Sequence, residues 1–486
     1  MPDTTLTERF AISTAAVRLL RAVAASFALV AGCGLSFEPA VSATLHRYTV
    51  RVDAGLESLE VRACFDGRVP PRLSASRLAP RSLARAPRSS GAGRVRLAGE
   101  ELRLEALPEN ACIDYAMHTR GRSDAGRGAI VTHAADWLWR PPELPEDADI
   151  EVAFELAQDH AVSAPWTPVT ASVYRVGHSP QSWPARVAFG RFETRTLEVP
   201  GASLRLAMLD TGERAEAVTR WIREAALAVT TAYGHFPLPG AQILVRAVDG
   251  DGSPVPWAQV LRGGGASAHF YIDAQATGAG LRADWTAAHE LSHMLLPYID
   301  RRDAWLSEGF ASYYQNVLRA RASMLTPLEA WRLLDAGFRR GIDGTGPART
   351  LSEASSEMNR TRGFMRVYWS GAAIALLADL RLRQSSGGRQ SLDTALDAFR
   401  HCCLPSAGRW RAREFFDRLD GLTGTEVFGE LYAAHAHSHE FPDLREAYAA
   451  LGLEAAAGGL QTAADAPRAA VRDAIMRARP APAAAD

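Results

Sequence analysis

From residue 44 onward the chain alternates apolar and polar positions. The runs "HRYTVRV" (His46–Val52), "SLEVRACF" (Ser58–Phe65), "GRVRLAG" and "ELRLEAL" (Gly93–Leu107) all do so. So do "DIEVAFEL" (Asp149–Leu156), "ASVYRV" (Ala171–Val176) and "ASLRLAML" (Ala202–Leu209). Successive side chains of a strand face opposite sides of a sheet, so this period of two predicts half-buried strands. Residues 44–210 therefore read as a β domain, sandwich-like in organisation. Pro70–Gly93, rich in Arg, Pro, Ser and Ala, reads as a loop or mobile insertion.

The period then changes. Glu213–Gly234 repeats apolar residues at helical spacing and ends on glycine. "AQILVRAV" and "AHFYIDA" predict two strands flanking a loop-like stretch, Asp251–Gly265. From Asp284 the pattern is helical almost throughout. Asp284 is placed to cap the first of these helices. Thr326–Glu329 ("TPLE") has the form of a capping box with proline at the first helical position. Further helices are expected to start near Val367, Ser391, Arg411, Thr425 and Pro442. The expected fold class is α+β: a β-sandwich-like domain (44–210), then an α/β unit closing in a helical bundle (211–454). The Ala- and Pro-rich tail, 455–486, is expected to be poorly ordered.

The first 43 residues read as a targeting segment. Arg18 and Arg21 precede the apolar run Ala22–Phe37, which is short for a membrane span and fits a secretory signal. "VSA" (Val41–Ala43) suits signal-peptidase cleavage. "VAGC" (Val30–Cys33) resembles a bacterial lipobox, which would leave a lipid anchor on Cys33. An uncleaved anchor is the third reading. Each implies an exported protein, periplasmic or membrane-anchored. Without Cys33 four cysteines remain: Cys64 and Cys112 can pair across the β region, while adjacent Cys402 and Cys403 either close a strained ring or stay as two buried thiols, the second being the preferred reading. The net charge of -1, from 54 basic and 55 acidic residues, argues against a nucleic-acid partner. Every basic residue is arginine, which we read as coding bias.

One stretch carries chemistry: "AAHELSHMLLPYIDRRDAWLSEGFASYY", Ala287–Tyr314. His289 and His293 are four apart, so a helix brings both imidazoles to one face. Glu290 is rotated away from that pair, within reach of a water but not of the ligand position. Glu308, on the next helix, supplies a third ligand, and Gly309 beside it permits close backbone approach. Two histidines, one carboxylate and a vacant corner suit a hydrolytic Zn2+ site. There Glu290 acts as general base on water attacking a peptide carbonyl, then delivers the proton to the leaving amine. The expected substrate is a peptide. The oligomeric state is not readable from the sequence.

"HELSH" followed by "WLSEGFASYY" resembles the gluzincin metallopeptidases, the clan of thermolysin and aminopeptidase N. "FGRFETRTLEVPGASLRLAM", Val367–Phe399 and "FPDLREAYAALGLE" are more similar to the glycyl aminopeptidase family. That resemblance implies an N-terminal β domain and a thermolysin-like catalytic domain. It also implies His289, His293 and Glu308 as zinc ligands, Glu290 as base and Tyr368, in "VYWSG", as the oxyanion-stabilising tyrosine. It places Gly263, Gly264, Gly265 and Ala266 on the substrate-binding edge, where aminopeptidases carry a glutamate for the free amine. No carboxylate stands there, and the family's lysine after the tyrosine is Ser370. The stretch after Glu454 is too short for that family's frequent PDZ domain. The expected activity is aminopeptidase-like hydrolysis of peptides; an endopeptidase on the same site and an idle, zinc-holding peptide-binding envelope protein remain as alternative readings.

Other candidates read as structural. His435 and His439 repeat the four-residue spacing at the end of a helix, where histidines favour the helix dipole. His269 reads as core or surface filler, Arg362 and Arg366 as a solvated face, and Tyr313 and Tyr314 as packing.

Overall fold

The computed structural model describes residues 44–478, except 120–123, 126–127, 179, 181–183, 405, 407 and 458. The targeting-segment readings, Cys33 included, fall outside the described residues. Among these, no helix is long and apolar enough to cross a membrane.

The N-terminal region is β, as its alternation predicts. A seven-stranded sheet has Thr44–Val52 at its centre, antiparallel to Ser58–Cys64 and parallel to Ala148–Glu155. Along Thr44–Val52 the alternate residues Tyr48, Val50 and Val52 are buried while Arg47 and Arg51 stay exposed. A four-stranded sheet built on Ala129–His133 and Arg186–Gly190 shares the same apolar core through Trp137, Trp166 and Phe189. Cys64 and Cys112 are register partners on adjacent strands and form a disulfide. The expected insertion Pro70–Gly93 is instead structured. It supplies Arg72–Ser74, a 3-10 turn and the edge strand Leu83–Ser89, whose two register shifts hid its alternation.

The second unit starts earlier than the sequence suggested. β1 (Glu193–Val199) and β2 (Ala202–Leu209), read as part of the N-terminal domain, belong to a five-stranded sheet with β3 (Gly240–Val248), β4 (Trp257–Leu261) and β5 (Ser267–Asp273). The order is β1-β2-β3-β5-β4. β2, β3 and β5 are parallel, and β1 and β4 run antiparallel at the two edges. The reason is topological: α1 (Ala215–Thr230) is the crossover that returns β2 to a parallel partner, and strand alternation alone cannot say which sheet a strand joins. Val218, Trp221, Ile222, Ala225 and Val229 form the buried face of α1.

The remainder is helical. α2 (Thr286–Ser292) is followed by α3 (Ala304–Arg321), α4 (Pro327–Asp343) and α5 (Phe364–Ser385), then α6 (Leu392–Cys403), α7 (Ala412–Thr423), α8 (Val427–His435) and α9 (Arg445–Leu451). The Thr326–Glu329 capping box forms with Pro327 at the first position. α3 and α5 cross at Gly309 and Gly371, where a Cβ on either glycine would overlap backbone of the other helix. Tyr313 and Tyr314 are buried, as expected, but not as plain packing. Their hydroxyls donate to Asp379 and Asp393, both at 2.9 Å. Asp393 is also held by Arg321 at 2.9 and 3.1 Å.

Two further expectations are corrected. The tail is ordered as far as it is described: Leu453–Ala456 and Gly459–Thr462 form a hairpin and α10 (Ala469–Ile475) docks on the helices. Leu460, Ile475 and Met476 enter the core, and Arg321 Nε donates to the Ile475 carbonyl at 2.9 Å. A few large apolar anchors suffice there, and the surrounding Ala-rich composition masks them. Cys402 and Cys403 are bonded to each other, not free thiols. They sit at the end of α6, where the chain turns extended at Leu404 and is released from helical geometry.

Candidate metal centre

The site is built by a helix, a pinned hinge and a second helix. Asp284 accepts the Thr286 N–H at 2.7 Å and so starts α2, with Trp285 as the flanking residue. α2 tightens into a 3-10 turn over His293–Leu295 and ends where Leu296 becomes extended. The hinge that follows is held from outside. Ile299 bridges Trp410, and Asp303 accepts from the Arg411 guanidinium and the Ala412 N–H at 2.5 and 3.0 Å. α3 then folds back over α2 with Glu308 in its second turn.

His289, His293 and Glu308 each offer a ligand atom, and these atoms lie within 4.8 Å of one another. Glu308 Oε2 is 3.3 Å from His289 Nε2 and 3.5 Å from His293 Nε2. The imidazoles meet at right angles, centroids 5.0 Å apart. Their other nitrogens are engaged: His289 Nδ1 with Gln315 Oε1 at 2.8 Å, His293 Nδ1 with Ser307 Oγ at 3.0 Å. Because an amide oxygen only accepts, Gln315 fixes a proton on His289 Nδ1, so Nε2 is the nitrogen that can take a metal ion. Both histidines are buried. Burial alone would raise the Glu308 carboxyl, but the two imidazoles outweigh it and hold it well below the usual range. This donor set, with its outer hydrogen bonds, fits a tetrahedral Zn2+ with one position open.

Glu290 is half-buried beside the pair, and burial pushes its carboxyl up. A carboxylate with a raised pKa is a better proton acceptor than an exposed one. Tyr368 lies parallel to the His289 ring, centroids 6.0 Å apart and planes 9° apart. Burial, the Glu308 charge and a hydrogen bond to Glu308 keep its hydroxyl protonated, so it remains a donor. The structure thus brings together His289, His293, Glu308, Glu290 and Tyr368.

The glycine stretch is placed differently from expectation. Gly263–Ala266 forms the turn between β4 and β5, not an edge strand. Gly264 packs against Ala185 and Gly265 against the Pro165 carbonyl; both have positive φ, which favours glycine. The free edge is β4 itself, Trp257–Leu261, which packs against α2 and has no carboxylate. His269 is fully buried in β5, its Nε2 2.6 Å from Ser267 Oγ, and is not a site residue. Arg366 is buried, not solvated, and donates to the carbonyls of Gly346, Ser438 and His439. His439 is exposed and His435 half-buried.

Sequence reading missed four residues around the centre. Gln315 lies seven residues after Glu308, two turns along the same helix face, and that spacing was the available signal. Ser307 precedes Glu308. Trp285, 44% exposed, sets its ring against His289 at 5.3 Å. Arg262, at the end of β4, is near enough to Glu308 to feel its charge, a closeness that no sequence spacing announces.

No family model and no curated protein matches the chain by sequence. Solved structures do match. An aminopeptidase N family protein from Idiomarina loihiensis superposes with a TM-score of 0.63 at 12% identity, over 84% of this chain and 78% of its own. An M1 zinc metallopeptidase from Deinococcus radiodurans gives 0.51 at 17% identity, over 82% and 94%. Neither is described as a glycyl aminopeptidase. The chain has the mixed α/β fold, with several sheets and a helical C-terminal region, that is seen in M1 aminopeptidase-like proteins.

Proposed function

We propose that the chain is a zinc-dependent peptidase, with His289, His293 and Glu308 holding the ion. The convergence of these three side chains, each imidazole oriented by its own hydrogen bond, carries the reading. Zn2+ bound there supplies a Lewis acid that makes water a nucleophile near neutral pH. Glu290 takes the proton from the attacking water and passes it to the leaving amine. The Tyr368 hydroxyl donates to the oxyanion that develops on the former carbonyl. Glu290→Gln keeps size and hydrogen bonding but removes the base, so peptide hydrolysis falls by about 100- to 10,000-fold while zinc stays bound. Equal rates in wild type and variant overturn the peptidase reading and leave a zinc-holding peptide-binding protein.

An aminopeptidase needs an anion for the substrate's free amine. Neither the β4 edge nor the Gly263–Ala266 turn has a carboxylate, and Arg262 stands between them. These observations favour internal cleavage over N-terminal trimming. Matched peptides with free and acetylated amino termini separate the two: an endopeptidase cleaves both equally well, whereas an aminopeptidase cleaves only the free one.

A further inference from the structure

A cavity of about 500 Å³ opens between the N-terminal domain and the hinge that follows His293. Pro165, Trp166, Leu238, Leu296 and Leu404 give it an apolar wall. Among the described residues its ionisable lining is Arg175, His178, Arg262, Tyr298 and Arg400, with no carboxylate. Volume and walls suit a side chain or short peptide segment.

The arginines are not equivalent. Arg175 is ion-paired with Glu151 and Asp149, and Arg400 with Asp397. Among the described residues Arg262 hydrogen-bonds neutral backbone, the carbonyls of Leu296 and Pro297. Burial pushes its pKa down to about 9, against the opposing pull of Tyr298 and Glu308. A guanidinium in such surroundings is costly unless an anion meets it. Its position is set by β4 on one side and by the two carbonyls just beyond the His293 turn on the other.

We propose that this cavity recognises a carboxylate-bearing side chain of a peptide substrate, with Arg262 as its cationic partner and the apolar wall covering the methylenes. The inference rests on the peptidase reading and names its substrate class: peptides with Glu or Asp within a few residues of the cleaved bond. The same charge disfavours basic residues there. Arg262 is a specificity residue and takes no part in bond cleavage.

The test uses one internally quenched peptide made with Glu, Gln or Lys in turn at each of four positions on either side of the scissile bond. Hydrolysis is measured with the zinc-loaded full chain, and binding with its Glu290→Gln form. The ratio of Glu to Gln peptide is read within one protein, so partial misfolding does not distort it. At one position the Glu peptide is expected to be favoured by roughly 10- to 100-fold, the range of a charge-assisted hydrogen bond. Arg262→Gln abolishes that ratio while the Gln peptide is still cleaved; Arg262→Lys, which keeps the charge if the loop tolerates no neutral residue, retains part of it. Equal handling of Glu and Gln at every position, a preference for Lys, or an acidic preference that survives Arg262→Gln overturns the proposal. Tight Glu-selective binding without hydrolysis of any peptide instead refutes the peptidase reading and leaves the acidic-group site standing.

Discussion

Gln315 makes no expected contact with the ion, yet the geometry gives it a measurable share in holding it. Its amide oxygen, 2.8 Å from His289 Nδ1, selects the tautomer whose Nε2 faces Glu308. His289 is buried, so in Gln315→Leu the Nδ1–H has no water to replace the lost acceptor. Leaving a buried donor unmade costs about 1–3 kcal/mol. Outer-shell losses of this kind weaken metal binding by about 10- to 100-fold, which at 298 K is about 1.4–2.7 kcal/mol, so the two scales agree. The assay is competition for Zn2+ against a chromophoric chelator at constant pH and ionic strength, with Gln315→Glu as the variant that keeps an acceptor. The expectation is a zinc Kd raised by one to two decades in Gln315→Leu and much less in Gln315→Glu. A Kd for Gln315→Leu within about twofold of wild type, in a protein of unchanged stability, would refute the orienting role.

Three other outcomes are expected. Gly309→Ala forces a Cβ onto α5 backbone, which has no side chain to move aside; urea unfolding should show a loss of about 1–3 kcal/mol, with weaker zinc binding because Glu308 is the adjacent residue. Asp393→Asn strands the buried Arg321 charge and weakens the Tyr314 bond, so the same measurement should show about 3–5 kcal/mol; a change under about 1 kcal/mol contradicts the network. His269 is kept neutral to a pKa of about 3, against an unperturbed 6.5, by burial first and then by Arg186 and His133. Its folded pKa is depressed, so the unfolded chain binds the proton first, and stability is lost as pH falls from 6.5 toward 3. From pH 7 to 5 the wild type should lose about 2 kcal/mol more than His269→Gln; parallel curves would show that His269 is protonated in the folded protein.

The centre was legible because its chemistry is local. His289 and Glu290 lie on one short helix, His293 opens the 3-10 turn that continues it, and Glu308 lies on the next helix, so near-helical spacing pairs the imidazoles and a short hinge brings the carboxylate to them. Strand alternation found the N-terminal β region for the same reason. It failed to divide 193–209 from that region because strands look alike whichever sheet they join. Membership was decided by α1 and the parallel pairing of β2 with β3. The Gly263–Ala266 stretch was misplaced by only a few residues, but those residues separate an edge strand from its turn. Gln315, Arg262 and the Tyr313–Asp379 and Tyr314–Asp393 bonds depend on contacts between distant segments, and polar residues inside helices carry no mark of burial. The ordered hairpin and α10 beyond Leu453 were hidden by composition, since a handful of anchors among alanines leaves little periodicity.

The central claim, that two imidazoles and the Glu308 carboxylate share one zinc ion, is tested most directly by X-ray absorption at the zinc edge of the purified full chain, compared with Glu308→Ala. The account predicts one zinc per chain, an N/O-only shell at about 2.0–2.2 Å with two imidazoles, and a loss of affinity together with the carboxylate scatterer in the variant. A folded chain that takes up no zinc, a shell containing sulfur, or a Glu308→Ala protein with an unchanged spectrum and affinity would contradict it.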